Sequence, residues 1–312
     1  MADKKEDKLS RYAESRMRLV MDSFNTLPED REHLYMPVAL AHVYFPRRDV
    51  KLDPTESYVH RSGDFQLNIS QLPVPNPHTG KNEFIGLPFG PKSRLLLGVI
   101  NALALQQGSN KIDIEADTLP RFLHKIGMTD GGNQLNQVRN QIARLSSSLI
   151  SVSYKEADGS TVHGQMPIVK GFDLFPRSHP EQMLLWQRHI VLSLDYWEEL
   201  QKHPLPLSLE HLRILSGHAR AIDFYSFLAY RLHNLKRPLF LTWVTMKDIF
   251  GGDIGRMADF KVKMRQTAEL ARLAYTDAKF SYDAQGWTFH CSPSPIQKKQ
   301  FLFQQSKLPK AP

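Results

Sequence analysis

Apolar and polar positions form their clearest pattern between Asp117 and Ile168. Within this stretch, apolar residues recur at i, i+3, i+7, i+10 and i+14, which is the period of a helix. These residues are Leu135, Val138, Ile142, Leu145 and Leu149. The opposite face of the predicted helix is polar and lacks acids, and it carries Asn136, Arg139, Asn140, Arg144 and Ser147. Because amide and guanidinium groups pair with base edges, we predict that this face contacts DNA.

The residues in front of this helix predict a second, shorter one. An N-cap at Asp117 and a left-handed end at Gly127 would bound it, and Asp130-Gly131-Gly132 would form the turn that follows. Its apolar residues are Leu119, Phe122, Leu123 and Ile126. The short helix, turn and long helix are the first part of a winged-helix order.

A β-hairpin is predicted to follow the long helix as the wing. Residues 149–154 and 162–169 alternate as strands around Asp158-Gly159, which is a strong hairpin signal, and Lys155 would lie near the tip. For one such segment, an ordinary core helix with a solvated polar face is an equal alternative.

The same order of elements returns in the second half of the chain. A long helix, a strand, a short helix, a glycine turn, a longer helix and a hairpin are predicted at 220–235, 239–243, 244–250, 251–252, 256–273 and 274–291. The predicted buried stripe of the longer helix is Met257, Phe260, Met264, Thr267, Ala268 and Ala271. Its exposed arc carries Lys261, Lys263, Arg265 and Gln266, for which we again predict DNA contact. An offset of 124 residues aligns Val138 with Val262 (262 − 138) and favours a duplicated domain.

Together these patterns predict an α+β protein with two tandem winged-helix domains. The first domain is placed at residues 86–180, with an opening helix at 93–107 and a strand at 111–114. The second is placed at residues 181–296 and opens with strand-like residues at 190–197.

Three further segments lie outside the predicted domains. Residues 1–35 are expected to be a helical or flexible segment, and residues 297–312 a disordered basic tail. Residues 36–85 hold many of the chain's 20 prolines and predict an irregular β-rich arm, or a small hairpin platform. Within this arm Arg47, Arg48 and Lys51 could contact phosphate, although a solvated loop is the simpler interpretation for each.

Composition narrows the class of protein. The 312 residues suffice for two domains, and 40 Lys and Arg against 32 Asp and Glu give a net charge of +8, which suits a polyanion. No apolar run reaches about 18 residues and the N-terminus is charged, so we expect a cytoplasmic protein. The single cysteine, Cys291, excludes an intramolecular disulfide and a cysteine-based zinc cluster.

Motifs for catalysis are missing from the sequence. No His-hydrophobic-His pair occurs among the 13 histidines, so the metal site of a rolling-circle nuclease is not predicted. The residues before Gly80-Lys81 lack the first glycine of a phosphate-binding loop, because position 75 is proline. We therefore predict no enzyme activity, no catalytic or metal-binding residue and no cofactor.

Several multi-residue motifs resemble the plasmid-encoded RepA family of replication initiators. In the first half these are Gly-Leu-Pro-Phe-Gly at 86–90 and Ser93-Arg94-Leu95-Leu96-Leu97. In the second half they are His203-Pro204-Leu205-Pro206-Leu207, Ala221-Ile222-Asp223-Phe224-Tyr225, Leu228-Ala229-Tyr230-Arg231-Leu232-His233 and Phe250-Gly251-Gly252. The resemblance covers roughly residues 36–296.

This resemblance implies a function that composition alone does not give. It implies tandem winged helices that bind short direct repeats (iterons) of double-stranded DNA at a plasmid origin, open the duplex and recruit the host's replicative helicase machinery. A homodimer formed through the first domain, a link to plasmid copy control and the absence of a membrane partner are further expectations. Two alternatives stay open: a winged-helix transcriptional repressor, and a protein-interaction scaffold that does not bind DNA.

Overall fold

The chain forms a mixed α+β structure with several small sheets. The computed structural model describes residues 17–21, 32–76, 79–113, 132–155, 158, 160–171 and 189–296. Its helices are Ala39–His42 (α1), Gly90–Gln107 (α2), Gly132–Ser146 (α3), Leu194–Lys202 (α4), Leu209–Leu215 (α5), Ala219–Arg231 (α6), Trp243–Phe250 (α7) and Met257–Ala274 (α8).

The strands of the described residues are mostly short and antiparallel. In chain order they are His33–Pro37 (β1), Ser57–Ser62 (β2), Phe65–Gln71 (β3), Val74–Pro75 (β4), Asn82–Glu83 (β5), Lys111–Asp113 (β6), Ser148–Lys155 (β7), Thr161–Pro167 (β8), Val169–Gly171 (β9), His189–Leu192 (β10), Pro204–Ser208 (β11), Leu239–Thr242 (β12), Phe280–Tyr282 (β13) and Gly286–Phe289 (β14). The predicted short helix at 117–126 and the basic tail lie outside the described residues.

The second half has the order of elements that the sequence predicts. Helix α6 leads to β12, α7, a glycine turn, α8 and the hairpin β13–β14, and β14 lies between β12 and β13 in a three-stranded sheet. Aromatic rings fill the space between helices and sheet, with Phe224 perpendicular to Trp287 at 5.6 Å and to Phe250 at 5.4 Å between ring centroids. Such edge-to-face contacts add to the burial of large apolar surfaces, so the hairpin and α6 are held together.

The first half differs from the predicted irregular arm. Strands β2 and β3 form a hairpin whose turn contains Gly63 at φ +57°, and β3 pairs along its whole length with the predicted wing strand β7. The resulting sheet has the order β2-β3-β7-β8. Leu67 and Ile69 point to its buried face, because side chains alternate along a strand. The segment 57–71 is therefore a hairpin in the same sheet as β7 and β8, which agrees with the small hairpin platform offered as the alternative and not with an irregular arm.

The duplication is not confirmed, and the offset of 124 residues is wrong. Val138 is buried but Val262 is 54% exposed, so that alignment pairs opposite faces of the two helices. An offset of 126 (264 − 138) instead superposes the buried positions 138, 141, 142 and 145 on 264, 267, 268 and 271. Sheet order also differs, because β10 lies between β6 and β9, whereas β12 pairs directly with β14.

Two elements between residues 194 and 208 were not expected from the sequence: a helix and a proline-containing strand. Residues 194–202 are helical, because the Ser193 hydroxyl caps the helix by accepting from the Tyr196 N–H at 3.2 Å. The proline-rich β11 is a strand of a two-stranded sheet with β1, where Pro204 and Pro206 face Pro37 and Tyr35. A two-stranded sheet tolerates proline because each strand is also an edge.

A buried ionic network joins the two halves of the chain. Arg94 on α2 donates to both carboxylate oxygens of Asp223 on α6, at 2.5 and 3.0 Å. Arg47 lies 3.3 Å from Asp223 and 3.1 Å from Asp253, and Arg220 lies 2.6 Å from Asp253. Three arginines and two aspartates thus connect α2, the loop after α1, α6 and the turn before α8.

Candidate nucleic-acid interface

Helix α8 is held against α7 by a close approach at Gly251. A Cβ atom there would lie 2.7 Å from the Lys247 carbonyl oxygen and 2.8 Å from Cδ2 of Phe260. The buried stripe of α8 is Phe260, Met264, Thr267, Ala268, Ala271 and Ala274, with Met257 partly buried. The predicted stripe is therefore confirmed, and the opposite face of the helix, around Val262 and Gln266, is exposed.

Cationic side chains flank the exposed face of α8 on both sides. Val262 and Gln266 are exposed at its centre. Lys261 and Arg265, which are four residues apart, lie on one flank, and Lys263 lies on the other. A helix in a major groove has a phosphate backbone on either side, so this arrangement suits a groove-binding helix.

Aromatic rings hold the Lys261 and Arg265 flank in place. The Lys261 Nζ lies 5.2 Å from the Trp243 ring centroid, and the Arg265 guanidinium lies 5.9 Å from both the Trp243 and Tyr282 rings. Trp243 is itself fixed by a 2.9 Å hydrogen bond from its Nε1 to the Asp283 carbonyl oxygen. These cation–π contacts restrict two long side chains beside the exposed face and leave their charge unneutralised.

The hairpin beside α8 turns tightly at Asp283. Its carboxylate accepts hydrogen bonds from the N–H groups of Gln285 and Gly286, at 2.8 and 3.0 Å, and these bonds lower the pKa of Asp283. Gly286 is required on steric grounds, since a Cβ atom would lie 2.3 Å from the Leu241 carbonyl oxygen. The turn therefore places Tyr282 next to Arg265.

The other flank of α8 faces a cleft. Lys263 and Gln266 line it together with Arg47 and Arg48 from the first half of the chain. Lys263 and Gln266 are thus brought together with cations that the sequence did not group with them.

In the first half, the structure separates the predicted residues of α3 into two groups. Asn136 and Asn140 are exposed on one face, and Arg139 is half-buried. Ser147 is only 3% exposed and donates to the Ala143 carbonyl oxygen at 2.9 Å. A DNA contact stays a prediction for all these residues, and burial disfavours it for Ser147.

Arg144 is occupied by contacts within the chain. Its guanidinium donates to both oxygens of Asp49, at 2.7 and 3.1 Å, and to the Leu87 carbonyl oxygen at 2.9 Å. Its Nε donates to Asn140 Oδ1 at 2.8 Å, and the Phe89 ring lies 4.9 Å away. With 11% of its side chain exposed, Arg144 anchors α3 to the preceding loops, so the predicted DNA contact is disfavoured for it too.

Lys155 ends the strand β7 and is exposed. Its backbone N–H donates to the Asp64 carbonyl oxygen at 3.2 Å, which places the β2–β3 turn beside it. Across the hairpin, the hydroxyl and N–H of Ser160 hydrogen-bond to Asp158 and lower the pKa of that carboxyl. Lys155 is thus an exposed cation at the end of the hairpin β7–β8.

The sequence did not single out Asp49, Trp243 or Tyr282, although each contacts a predicted site residue and restricts its side chain. Their partners are distant in sequence: Asp49 and Arg144 are 95 residues apart. A lone acid or aromatic in a loop or strand carries no local signal of such a partner.

Within the described ranges, no cluster of three or more histidine, cysteine or acidic side chains could hold a metal ion. None of the helices described for this chain is both long enough and apolar enough to span a membrane.

Comparison with known families confirms the resemblance. Residues 93–243 match the family described as "Plasmid encoded RepA protein". This segment is RepA-like. It contains most of α2, all of α3, the hairpin β7–β8 and α6, and it ends at Trp243, ahead of α8.

Solved structures of RctB resemble the chain as well. A crystal structure of RctB domains 2-3 has a TM-score of 0.49 and 11% sequence identity, and the alignment covers 80% of this chain and 95% of that one. A selenomethionine derivative of the same two domains gives a TM-score of 0.49 and 11% identity, with 82% and 98% covered. No curated protein matches the RepA-like chain.

Proposed function

We propose that this RepA-like chain is a plasmid replication initiator that binds directly repeated double-stranded DNA at an origin. The family match over residues 93–243 carries this proposal. The face of α8, with its exposed Gln266 between Lys261, Arg265 and Lys263, supports it because the charges border the face on both sides. Both halves act as winged helices in this proposal, with α3 and α8 each in a major groove.

Within this proposal, the predicted contact residues have different roles. Gln266 suits adenine and Arg265 suits guanine at base edges, whereas Lys261, Lys263 and Lys155 suit phosphates. In the first half, the exposed amides of Asn136 and Asn140 are the candidates for base contact, with Arg139 beside them.

The initiator would act without enzyme activity. Binding energy and DNA supercoiling would distort the duplex next to the repeats, so this chain needs no nucleotide hydrolysis. The host's replicative helicase machinery would then be recruited in the cytoplasm of a bacterium, and a homodimer in solution could limit the amount of active protein.

A footprint of the full chain on the candidate origin of its own plasmid tests the proposal. We expect protection of evenly spaced direct repeats, with an affinity that falls steeply as salt rises, because bound phosphates release counterions. Weak and unphased protection at every salt concentration would contradict DNA recognition and favour the protein-interaction scaffold.

A transcriptional repressor would give the same footprint and needs a separate test. A plasmid that carries the origin but lacks this gene should replicate only when the chain is supplied in trans. If the repeats are protected but replication is not restored, the chain is a repressor and not an initiator.

A further inference from the structure

The cleft beside α8 has an excess of positive charge. It has a volume of about 740 Å³ and lies between the Arg47-Arg48 segment, the N-terminal end of α6 and the side of α8. Four cations line it, together with two carboxylates: Arg47, Arg48, Arg220, Lys263, Asp253 and Glu269. The formal charge of these six side chains is therefore +2 (4 − 2).

Both carboxylates of the cleft already have partners. Asp253 accepts from Arg220 at 2.6 and 2.9 Å, and Glu269 pairs at 3.2 Å with Arg272, which does not line the cleft. Burial would raise the pKa of Asp253, but the hydrogen bond and charge of Arg220 outweigh it and lower that pKa. The acids thus neutralise neighbouring arginines and leave the rest of the cleft cationic.

Arg48 and Lys263 carry the positive charges of the cleft that no carboxylate among the described residues neutralises. Arg48 is exposed and Lys263 half-buried, and neither side chain has a hydrogen bond or ion pair with the part of the chain that the structure describes. They come from different halves of the chain and face the same space. Two cations that line the same cleft without such partners are suited to an anion bound there.

Arg47 and the N-terminal end of α6 also favour an anion in the cleft. The Arg47 side chain is 8% exposed, and its Nε lacks a hydrogen-bond acceptor among the described residues. The N-terminal residues of the 13-residue helix α6 also line the cleft. The positive end of this helix dipole attracts negative charge.

We propose that this cleft binds the sugar–phosphate backbone of the DNA strand that runs beside α8. Arg48 and Lys263 contact phosphate oxygens, while Arg47 and the end of α6 add a positive potential. This inference rests on the proposed function, since it assumes that α8 enters a groove. It adds a residue of the first half, Arg48, to the DNA contacts of the second.

The test compares the double variant Arg48→Ala/Lys263→Ala with the wild-type chain on duplex DNA carrying the repeats. Each lost phosphate contact makes the plot of log affinity against log salt shallower by about 0.9, so we expect a change of about 1.8. The conservative variant Lys263→Arg should keep the wild-type slope. A matched control, Lys111→Ala/Lys202→Ala, removes two exposed cations elsewhere and should leave the slope unchanged.

The possible outcomes distinguish a failure of the cleft proposal from a failure of the proposed function. If the wild-type chain binds the repeats with a steep slope and the double variant has the same slope, the cleft is not a backbone site, although the proposed function stands. If the wild-type chain shows no salt-dependent binding, both ideas fail. Titration with inorganic phosphate at constant ionic strength should show no saturable binding; saturable binding that the double variant loses would assign the cleft to the free anion instead.

Discussion

Arg94 and Asp223 form a bidentate ion pair between the two halves of the chain, and each side chain is only 3% exposed. Arg94 also donates to the carbonyl oxygens of Phe45 and Gly90, at 2.6 and 2.8 Å, so its guanidinium is hydrogen-bonded on several sides. Neither charge reaches water. The pair therefore fixes the position of α6 relative to α2. Arg47, which pairs with both Asp223 and Asp253, links it to the turn that precedes α8.

Asp223→Ala should strongly destabilise the protein. The substitution leaves the buried charges of Arg94 and Arg47 without this carboxylate, and breaking such a buried pair costs about 3–5 kcal/mol. Urea unfolding followed by circular dichroism measures the change. As a control, Glu198→Ala breaks the exposed pair with Lys202 and should cost less than about 1 kcal/mol. Equal effects of the two substitutions would show that the buried pair has no special role.

Two buried histidines should make the protein less stable in mild acid. Burial, together with the charges of Arg231 and Arg47 respectively, lowers the pKa of His42 and of His60 to about 4. The Nδ1 of His60 accepts from the Tyr44 N–H at 3.4 Å and must be unprotonated to do so, while its Nε2 donates to the Ile249 carbonyl oxygen at 3.0 Å.

The direction of the pH effect follows from proton binding. Between pH 6.5 and 4 the unfolded chain binds more protons at these histidines than the folded chain does. The free energy of unfolding is therefore highest above pH 6.5 and falls as the pH is lowered toward 4, by about 2 kcal/mol per histidine at pH 5.

The variant His42→Phe tests this pH effect while keeping the ring contact. His42 stacks on Phe65 with ring centroids 4.1 Å apart, and a phenyl ring can replace it there without a titrating group. Urea unfolding at pH 7 and pH 5 should show a smaller pH dependence in the variant than in the wild-type chain. An unchanged pH dependence would exclude His42 as a source.

Two adjacent glycines should respond differently to alanine. At Gly251 the new Cβ would meet the Lys247 carbonyl oxygen at 2.7 Å and Phe260 at 2.8 Å, whereas at Gly252 nothing lies within 4 Å. We expect Gly251→Ala to cost about 1–3 kcal/mol by forcing α7 and α8 apart, and Gly252→Ala to change stability by less than about 0.5 kcal/mol. Thermal unfolding measures both, and a larger loss at Gly252 would contradict the packing described for α7 and α8.

Sequence periodicity was sufficient to predict the helices whose apolar pattern lies within one short segment. The stripe of Val138, Ile142 and Leu145 predicted α3, and the recurring apolar positions of α8 predicted its buried face. Pairings between distant segments carry no such signal. Strand β1 pairs with β11, and nothing in residues 33–37 alone indicates a proline-containing partner.

Contacts between distant segments also decide which predicted DNA-contact residues are exposed. Of the polar face predicted for α3, Asn136 and Asn140 are exposed, but Arg144 is covered by contacts with Asp49 and Leu87, which lie in loops far along the chain. The offset between the two long helices failed for a related reason: Val138 and Val262 are the same residue type on opposite faces, and only packing distinguishes them.

Arg144 and Arg265 should therefore have opposite phenotypes, although both were predicted to contact DNA. Arg144→Ala removes the bidentate pair with Asp49 and the bond to Leu87, so we expect the free energy of unfolding to fall by about 1–3 kcal/mol. Arg265→Ala leaves the core intact, because the side chain is exposed and rests on the rings of Trp243 and Tyr282.

For Arg265→Ala we expect normal unfolding and a loss of about 1–3 kcal/mol in binding to the repeats, with weaker discrimination at one base position. Urea unfolding and footprinting of both variants measure the two effects side by side, with binding compared at a temperature where each variant is folded. If Arg144→Ala unfolds like the wild-type chain and loses base discrimination instead, its guanidinium leaves Asp49 to contact DNA. The first half would then read DNA through a side chain that the free protein keeps paired, and α3 would have to change its contacts on binding.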